Sequence, residues 1–304
     1  MQEFLATNYM PYSGYTSFMR RPYTKNLAKV DVAVSGIPFD LATTNRSGAR
    51  MGPRYIRQAS LQIAELLPYP WGFDIFSKIN TIDYGDCFLD LNNPMTIFGQ
   101  IKQHIANIIN RDVFPLTLGG DHYITYPILC ALSEKYGKNL SIIHFDAHCD
   151  TWHDEVENSL NHGTMFYKAI KNNIIDPGKS VQIGIRTWNN DFMGMNILDA
   201  AWVNDNGWNK TVEKIKLVVG DNPCYITFDI DCLDPAFAPG TGTPVAGGLT
   251  SINALSIIRN LPKLNIIGAD VVEVAPSYDS ADITSTAAAQ IACDILALIA
   301  KFKV

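Results

Sequence analysis

Paired cysteines are the first feature that this sequence lacks. Its six cysteines are scattered along the chain, and none of them forms a C-x-x-C pair. Such pairs mark structural zinc sites and redox-active disulfides, and dense cysteines mark short secreted domains held together by disulfides. We therefore expect reduced thiols in the core of a cytoplasmic protein.

An excess of positive charge is also absent, since 24 Lys and Arg stand against 30 Asp and Glu, for a net charge of −6. Nucleic-acid-binding domains carry a basic surface, so nucleic acid is not expected as a partner. The N-terminus has no basic segment followed by an apolar run, so we expect no signal peptide. The apolar runs look too short to cross a bilayer, and no membrane partner is expected.

The 304 residues are 47% hydrophobic and 18% charged, which is enough apolar material for a large buried core. Residues 1–29 are rich in Tyr, Met, Phe and Arg without a clear period, and we interpret them as an N-terminal arm. No repeat, low-complexity tract or Pro/Gly/Ser linker interrupts residues 30–304. We therefore predict an arm over 1–29 and a single domain over 30–304.

Short β-branched apolar runs alternate with amphipathic stretches along the predicted domain. The strand candidates are residues 30–40, 113–120, 140–146, 180–186, 224–230 and 265–274. The helix candidates are 52–67, 94–111 and 123–138, and stretches near 164–172, 208–220, 250–260 and 280–302. This alternation is typical of a parallel sheet covered on both faces. The predicted fold class is α/β, a three-layer α/β/α arrangement with a mainly parallel sheet.

Acids and imidazoles follow three of the predicted strands. They occur in "FPLTLGGDH", "SIIHFDAHCD" and "YITFDIDCLDP". Any one of these groups alone is an ordinary cap or turn, but ligands in open α/β sheets bind beyond the carboxyl ends of the strands. Acids converging there would repel each other strongly without a counter-charge. The set that fits two divalent ions is His122, Asp146, His148, Asp150, Asp229 and Asp231.

The predicted ligand set contains carboxylates and imidazoles but no thiolate, which favours a harder ion than a cysteine-rich zinc site holds. Two Mn²⁺ per subunit are our first choice, with Ni, Co and Zn left open. His144 lies two residues deeper in its strand, where a hydrogen bond to a ligand or plain core packing is the better interpretation. Cys149 has the wrong parity to point with its neighbours.

Several motifs occur together and in order: "GGDHYITYP", "HFDAHCD", "HGTMF", "TFDIDCLDPAFAPGTGTPVAGG" and "VVEVAPSYD". They resemble the ureohydrolase family, which includes arginase and agmatinase, from about residue 30 to near the end of the chain. Within the family the motifs look most like those of bacterial agmatinases. The resemblance implies an arginase/deacetylase-like fold, a binuclear manganese centre at the six residues, and a homotrimer or homohexamer. It also implies a small cationic guanidino substrate, agmatine, cleaved to urea and putrescine.

The resemblance also implies roles for residues outside the metal set. His162 in "LNHGTMF" is similar to the family's proton-shuttle histidine, and Asp150 is expected among the catalytic residues as well as the ligands. A carboxylate must hold the guanidinium, and parity lets either Glu273 or Asp270 face the site but not both. The resemblance favours Glu273.

Other functions stay open on the sequence alone. A related enzyme of the family could act on guanidinobutyrate, another guanidino acid or guanidine. A mononuclear zinc deacetylase of related fold would need fewer ligands, and a non-catalytic homologue would not need all of them. The resemblance also implies that the loop acids Asp154, Glu155 and Glu157 line the mouth of the site, where they would favour a substrate with a cationic tail. The open alternative is that these acids simply form a solvated face.

Overall fold

The computed structural model describes residues 10–156 and 159–303. Its centre is one eight-stranded sheet with the strand order β2-β1-β3-β8-β7-β4-β5-β6, in which every neighbouring pair is parallel. The strands are β1 Val32–Ile37, β2 Thr81–Asp86, β3 Phe114–Gly119, β4 Ser141–Phe145, β5 Val181–Ile183, β6 Asn196–Leu198, β7 Cys224–Asp229 and β8 Ile266–Val272.

Within the described residues, seven α-helices cover the two faces of the sheet. They are α1 Gly52–Ser60, α2 Ile97–Ile109, α3 Thr125–Tyr136, α4 Met165–Lys171, α5 Ala200–Val219, α6 Ser251–Arg259 and α7 Ile283–Phe302. Helices α1, α5, α6 and α7 pack into one apolar core, and α2, α3 and α4 pack into another. The predicted three-layer α/β/α class is therefore confirmed.

Local sequence explains why these segments are helical. In α2, Ile97, Ile101, Ile105 and Ile108 are all fully buried, so the predicted apolar stripe faces the core. Helix α1 begins at Gly52–Pro53, where the fixed φ of proline suits a first turn and its missing N–H costs nothing.

The structure corrects several predicted boundaries and adds two strands. β2 and β6 were not predicted, and both are edge strands of the sheet. The helix predicted over 52–67 ends at Ser60. The helix predicted near 208–220 is the second half of α5, which starts at Ala200 and is interrupted at Gly207, whose φ of 76° leaves the helical region.

Helix α7 corrects the expectation that every apolar run is too short for a membrane. It is long and apolar enough to cross one, but 72% of its most apolar window is buried inside the fold. It packs against α1, α6 and β8. These contacts are those of a core helix, because its apolar residues are already covered by protein.

Part of the predicted arm packs on the body. Phe18 and Met19 are buried, the Phe18 amide donates to Asp83 Oδ2 over 2.8 Å, and Tyr23 bridges to the edge strand β2. Residues 1–9 lie outside the described part of the chain. The division into an arm and a domain stays a prediction.

The strand order determines where the site lies. The four central strands are β3, β8, β7 and β4, although they are far apart in the sequence. Because they are parallel, their carboxyl ends meet at one edge, and the segments that follow them carry the predicted site residues. The order also changes direction around β1 and β3, and such points are where open α/β sheets bind ligands.

Candidate active site

All six predicted metal ligands converge at the carboxyl edge of β3, β7 and β4. His122 Nδ1 lies 3.1 Å from Asp146 Oδ2, 3.1 Å from Asp150 Oδ2 and 3.3 Å from Asp229 Oδ2. His148 Nδ1 lies 3.1 Å from Asp231 Oδ2 and 3.3 Å from Asp146 Oδ1. Asp146 contacts both imidazoles, so the cluster has two halves that share this carboxylate.

Tight turns after the strands orient the aspartates. Asp146 Oδ1 accepts the His148 amide at 2.6 Å, and Asp229 Oδ1 accepts the Asp231 amide at 2.8 Å. In each case the carboxylate binds the N–H two residues on, which is the geometry of an Asx turn. The backbone bond fixes each carboxylate, and Oδ2 of each then lies within 3.3 Å of His122 Nδ1. The spacings D-x-H and D-x-D therefore specify both a turn and a ligand direction.

His122 presents one nitrogen to the cluster without a hydrogen bond. Its Nε2 lies 2.8 Å from the Thr227 hydroxyl, which fixes the ring. Its Nδ1 is buried and, among the described residues, has no hydrogen-bond partner of acceptable geometry, although three carboxylate oxygens surround it. An imidazole nitrogen and carboxylate oxygens that converge without bonding each other surround a common point, as metal ligands do.

His144 is close to the cluster but already has partners for both nitrogens. Geometrically it falls in one group with His122, Asp146 and Asp150, whose candidate ligand atoms all lie within 4.8 Å of one another. Its Nε2, however, lies 2.8 Å from Asp146 Oδ2, and its Nδ1 lies 2.9 Å from the Gln182 amide. The hydrogen bonds favour a supporting position behind Asp146 over direct ligation.

The donor set fits a pair of divalent ions. Across residues 10–156 and 159–303, no lysine or arginine forms an ion pair with any of the four aspartates, which are all buried. Arg186, which lies next to Asp231, donates to backbone carbonyls instead. Four acids and two imidazoles without a cationic side chain need an external counter-charge.

The electrostatics of the metal-free cluster agree with this reading. Burial and the negative charges of Asp231 and Asp146 raise the pKa of Asp229 well above its ordinary value. Burial alone would lower the pKa of His148, but Asp231 and Asp146 raise it to about 12. Contacts with three aspartates likewise outweigh burial and raise the pKa of His122. The directions of these pKa shifts show that the cluster stabilises added positive charge.

Glu273 and His162 form a second part of the site. Glu273 directly follows β8, with a left-handed φ of 63°, and its Oε1 accepts the His122 amide at 2.8 Å and lies 2.9 Å from His162 Nδ1. The other nitrogen of His162 lies 3.2 Å from the Thr44 amide and 3.0 Å from the Thr44 hydroxyl. Non-glycine residues at positive φ are uncommon, and they cluster where a site fixes its side chains.

The second oxygen of Glu273 has no partner. Glu273 Oε2 is buried and unbonded among the described residues. A Cβ at Gly242, in the "PGTGTP" turn, would lie 3.2 Å from that oxygen, so glycine keeps the approach to it open. Asp270 faces another layer, where Oδ2 accepts the hydroxyls of Thr125 and Tyr225. Of the two acids that parity left open, Glu273 lies at the site.

Comparison with known proteins agrees with this geometry. The sequence profile of the arginase family matches residues 30–298. The chain belongs to the arginase family. An agmatinase from Chromobacterium violaceum is 63% identical over 293 residues, which cover 96% of this chain and 91% of the relative. The resemblance seen in the motifs is therefore confirmed, and the protein is a ureohydrolase-type hydrolase.

Two solved structures of arginase-family proteins are similar over almost the whole chain. One is a hypothetical agmatinase from Burkholderia thailandensis, with a TM-score of 0.95, 62% identity and coverage of 96% of this chain and 93% of that one. The other is proclavaminate amidino hydrolase from Streptomyces clavuligerus, with a TM-score of 0.91, 36% identity and coverage of 96% and 99%. The fold and the binuclear character of the site thus agree with the family.

The arginase-family cluster opens into a cleft of about 280 Å³. Among the described residues its lining contains no lysine or arginine. Besides His148, Asp150, His162 and Asp229, the lining comprises Thr44, Trp152, Asn161, Gly163, Thr164 and Thr243. The cleft therefore connects the ligand cluster with His162. Its lining combines two of the aspartates with mainly polar, uncharged residues.

Two of the acidic loop residues, Asp154 and Glu155, lie outside this cleft, and their predicted placement at its mouth is wrong. Asp154 accepts from the Thr164 hydroxyl at 2.9 Å and the Val156 amide at 2.9 Å, and it pairs with Lys168 at 3.3 Å. Glu155 lines a separate cleft and accepts the Tyr167 hydroxyl at 2.5 Å. Glu157 lies outside the described residues.

Sequence reasoning missed several residues that hold the site together. Thr227 contacts His122, Thr44 contacts His162, and the Thr243 hydroxyl donates to Asp231 Oδ2 over 3.2 Å. Gln182 lies beneath the ligand segment. A polar residue in an otherwise apolar buried strand was the available signal for Thr227 and Gln182, since buried polar groups need a partner.

Metal binding at pH 7 is expected to release protons, because the neighbouring aspartates raise the pKa of His122 and His148 and each imidazole must lose a proton to act as a ligand. Isothermal titration in two buffers of different ionisation enthalpy measures the number of protons released. His122→Gln should release fewer protons than the wild type. Metal uptake with no net proton release would contradict the raised pKa of the two imidazoles.

Proposed function

We propose that the protein is an agmatinase, which uses two Mn²⁺ per subunit to hydrolyse agmatine to urea and putrescine. The observation that carries this proposal is the unpaired Oε2 of Glu273, a buried carboxylate oxygen whose neighbour Oε1 contacts the amide of His122 and the ring of His162. A guanidinium presents a planar fork of N–H donors, for which a carboxylate is the matching acceptor. The name of the 63% identical relative supports agmatine as the carrier of that group.

The reaction adds the oxygen of water to the guanidinium carbon and breaks the bond from that carbon to the chain nitrogen. Two divalent ions held by the six ligands would supply a hydroxide nucleophile at neutral pH. Glu273 would accept guanidinium N–H groups and fix the carbon over the cluster. His162, 2.9 Å from Glu273 through Nδ1, is in place to deliver a proton to the leaving amine. The products are then urea and putrescine.

Mn²⁺ is proposed because the set combines four carboxylates with two imidazoles and no thiolate. The buried Cys149 does not join it, since its Sγ accepts from Asn189 over 3.3 Å. The metal content of the purified protein distinguishes the two kinds of site. About two ions per subunit would support the binuclear enzyme, and about one would support a deacetylase-like site.

We further propose that the protein is a cytoplasmic homotrimer or homohexamer. Light scattering after gel filtration measures the number of subunits.

Selectivity is expected to favour agmatine over guanidinobutyrate and guanidinopropionate by at least about tenfold in kcat/KM, a gap of roughly 1.4 kcal/mol. The cleft has no lysine or arginine in its described lining, so no such side chain is present there to pair with a carboxylate tail. Urea release from a panel of agmatine, the two guanidino acids, arginine and guanidine measures this. Faster turnover of guanidinobutyrate would make the protein a guanidinobutyrase of the same family.

Substituting the loop acids is expected to leave the ratio of kcat/KM for agmatine to kcat/KM for guanidinobutyrate almost unchanged. Asp154→Asn weakens the hydrogen bonds that close the loop carrying His162, so kcat/KM should fall alike for agmatine and guanidinobutyrate. Glu155→Gln, at an exposed neighbour in the other cleft, is the matched control and should have little effect. If Asp154→Asn lowered kcat/KM for agmatine but not for guanidinobutyrate, we would conclude that Asp154 acts on the tail of the substrate.

A further inference from the structure

A buried amide lies directly beneath the ligand cluster. Gln182 is the middle residue of β5, pairs in register with His144 of β4, and is, like His144, fully buried. Its Nε2 lies 2.9 Å from His144 Nδ1 and 2.6 Å from the Cys149 carbonyl oxygen. Because a carbonyl cannot donate, the Cys149 contact requires Gln182 to present its NH₂ group to both atoms.

This orientation of the amide determines the tautomer of His144. Since Gln182 donates to Nδ1, that nitrogen carries the lone pair and the proton is on Nε2. Nε2–H then donates to Asp146 Oδ2 over 2.8 Å. In the other tautomer two lone pairs would face each other across that distance. Asp146 is the carboxylate shared by both halves of the cluster, so the effect of Gln182 reaches both candidate metal positions.

The second hydrogen bond acts on the backbone. Cys149 lies between the ligands His148 and Asp150, and Asp150 has a left-handed φ of 52°. A non-glycine residue in that region needs support from its surroundings. The bond from Gln182 holds the carbonyl just before Asp150. A single amide group therefore anchors the segment carrying His148 and Asp150, and through His144 it orients Asp146.

We propose that Gln182 is a positioning residue that sets the metal affinity of the site, by selecting the His144 tautomer and by anchoring the Cys149 carbonyl. The inference rests on the proposed metal centre. It concerns residues outside the ligand set. Hydrogen-bond partners of metal ligands typically change metal affinity by 10- to 100-fold when they are removed.

The test compares two substitutions of Gln182 with one control. Gln182→Glu keeps the shape, but a glutamate donates no hydrogen bond when ionised and only one when neutral, so it cannot satisfy both acceptors. Gln182→Met removes both bonds without adding charge. Asn222→Leu is the control, because Asn222 donates to the Asn139 carbonyl and the Ser141 hydroxyl at the opposite end of β4, at 2.8 and 2.9 Å.

The readout is the dissociation constant for Mn²⁺, measured on metal-free protein by competition with a chelating indicator. Both Gln182 variants should bind Mn²⁺ about 10- to 100-fold more weakly, and Asn222→Leu should bind normally. The thermal midpoint of each metal-free variant shows whether it is folded, and it separates stability from affinity. Normal Mn²⁺ binding by either folded Gln182 variant, or weakened binding by Asn222→Leu as well, would overturn the proposal.

A double-mutant cycle with His144→Leu separates the two hydrogen bonds. If Gln182 acts through His144, Gln182→Met should cost less Mn²⁺ affinity in the His144→Leu background than in the wild type. If the losses of Mn²⁺ affinity caused by Gln182→Met and His144→Leu were fully additive, Gln182 would not act through the His144 tautomer. A wild-type protein that binds no metal would instead reject the proposed metal centre, and one that binds two ions but does not cleave agmatine would reject the proposed substrate while leaving this inference standing.

Discussion

Exhaustive chelation is expected to abolish urea release from agmatine, a loss on the order of 10⁶-fold or more toward the uncatalysed rate. The guanidinium is resonance-stabilised and a poor electrophile, so attack on its carbon needs the hydroxide that two bound ions would supply at neutral pH. Mass spectrometry of the chelated protein must confirm that it is metal-free. Full activity in such a preparation would end the proposed mechanism.

Adding back Mn²⁺ is expected to restore activity better than Mg²⁺ or Ca²⁺. The two imidazoles of the cluster favour a transition-metal ion, and its four carboxylates favour a hard one, and Mn²⁺ meets both conditions. The metal content of single variants ranks the six ligands by their contribution to metal binding. Asp146→Ala or Asp229→Ala should lower metal content more than His122→Ala does. Asp146 is common to both halves of the cluster, and the facing oxygens of Asp146 and Asp229 both approach His122 Nδ1. Equal losses in all three variants would contradict a shared carboxylate.

Replacing His162 with asparagine is expected to lower kcat by about 10²- to 10⁴-fold and to leave metal content near normal. His162 is not in the cluster but bonds to Glu273, on the substrate side of it. Burial alone would lower the pKa of His162, but the hydrogen bond and charge of Glu273 and the charge of Asp150 raise it to about 9. The raised pKa favours an imidazole that has a proton to give.

The chain offers a matched control for this substitution. His153 lies nine positions earlier in the same loop, with a side chain that is 70% exposed and an ion pair to Glu155. His153→Asn should leave kcat within the usual small effect of a surface change. An unchanged kcat in His162→Asn would make His162 a structural residue that closes the loop onto Thr44.

The sequence predicted most elements and all six cluster residues, but part of its reasoning does not describe the structure. Parity in an extended strand would align Asp229 with Asp231 and the acids and imidazoles after β4 with one another. The strands end at Asp229 and Phe145, so Asp231 lies in the short 3-10 helix Ile230–Cys232 and residues 146–150 lie in the loop after β4. They converge because Asx turns and the left-handed Asp150 direct them, and periodicity contains no information about either.

The two missed strands have a common physical reason. β6 has three residues and β2 reads "TIDYGD", with polar residues at alternate positions and a glycine. Both lie at the edges of the sheet, where one side of the strand has no partner and a continuous apolar run is not needed. The pattern of buried central strands therefore does not predict them.

By itself the sequence determined the fold class, the apolar stripes and the identity of the acids and imidazoles that need a counter-charge, because these follow from burial, periodicity and charge. Only the tertiary structure decided what meets at the site. The strand order inserts β8 between β3 and β7, which brings Glu273 beside His122. Packing pairs Asp154 with Lys168 and Gln182 with His144. Such contacts join residues far apart in the chain, and local propensity cannot specify them, since they depend on which elements become neighbours when the two helical layers close on the sheet.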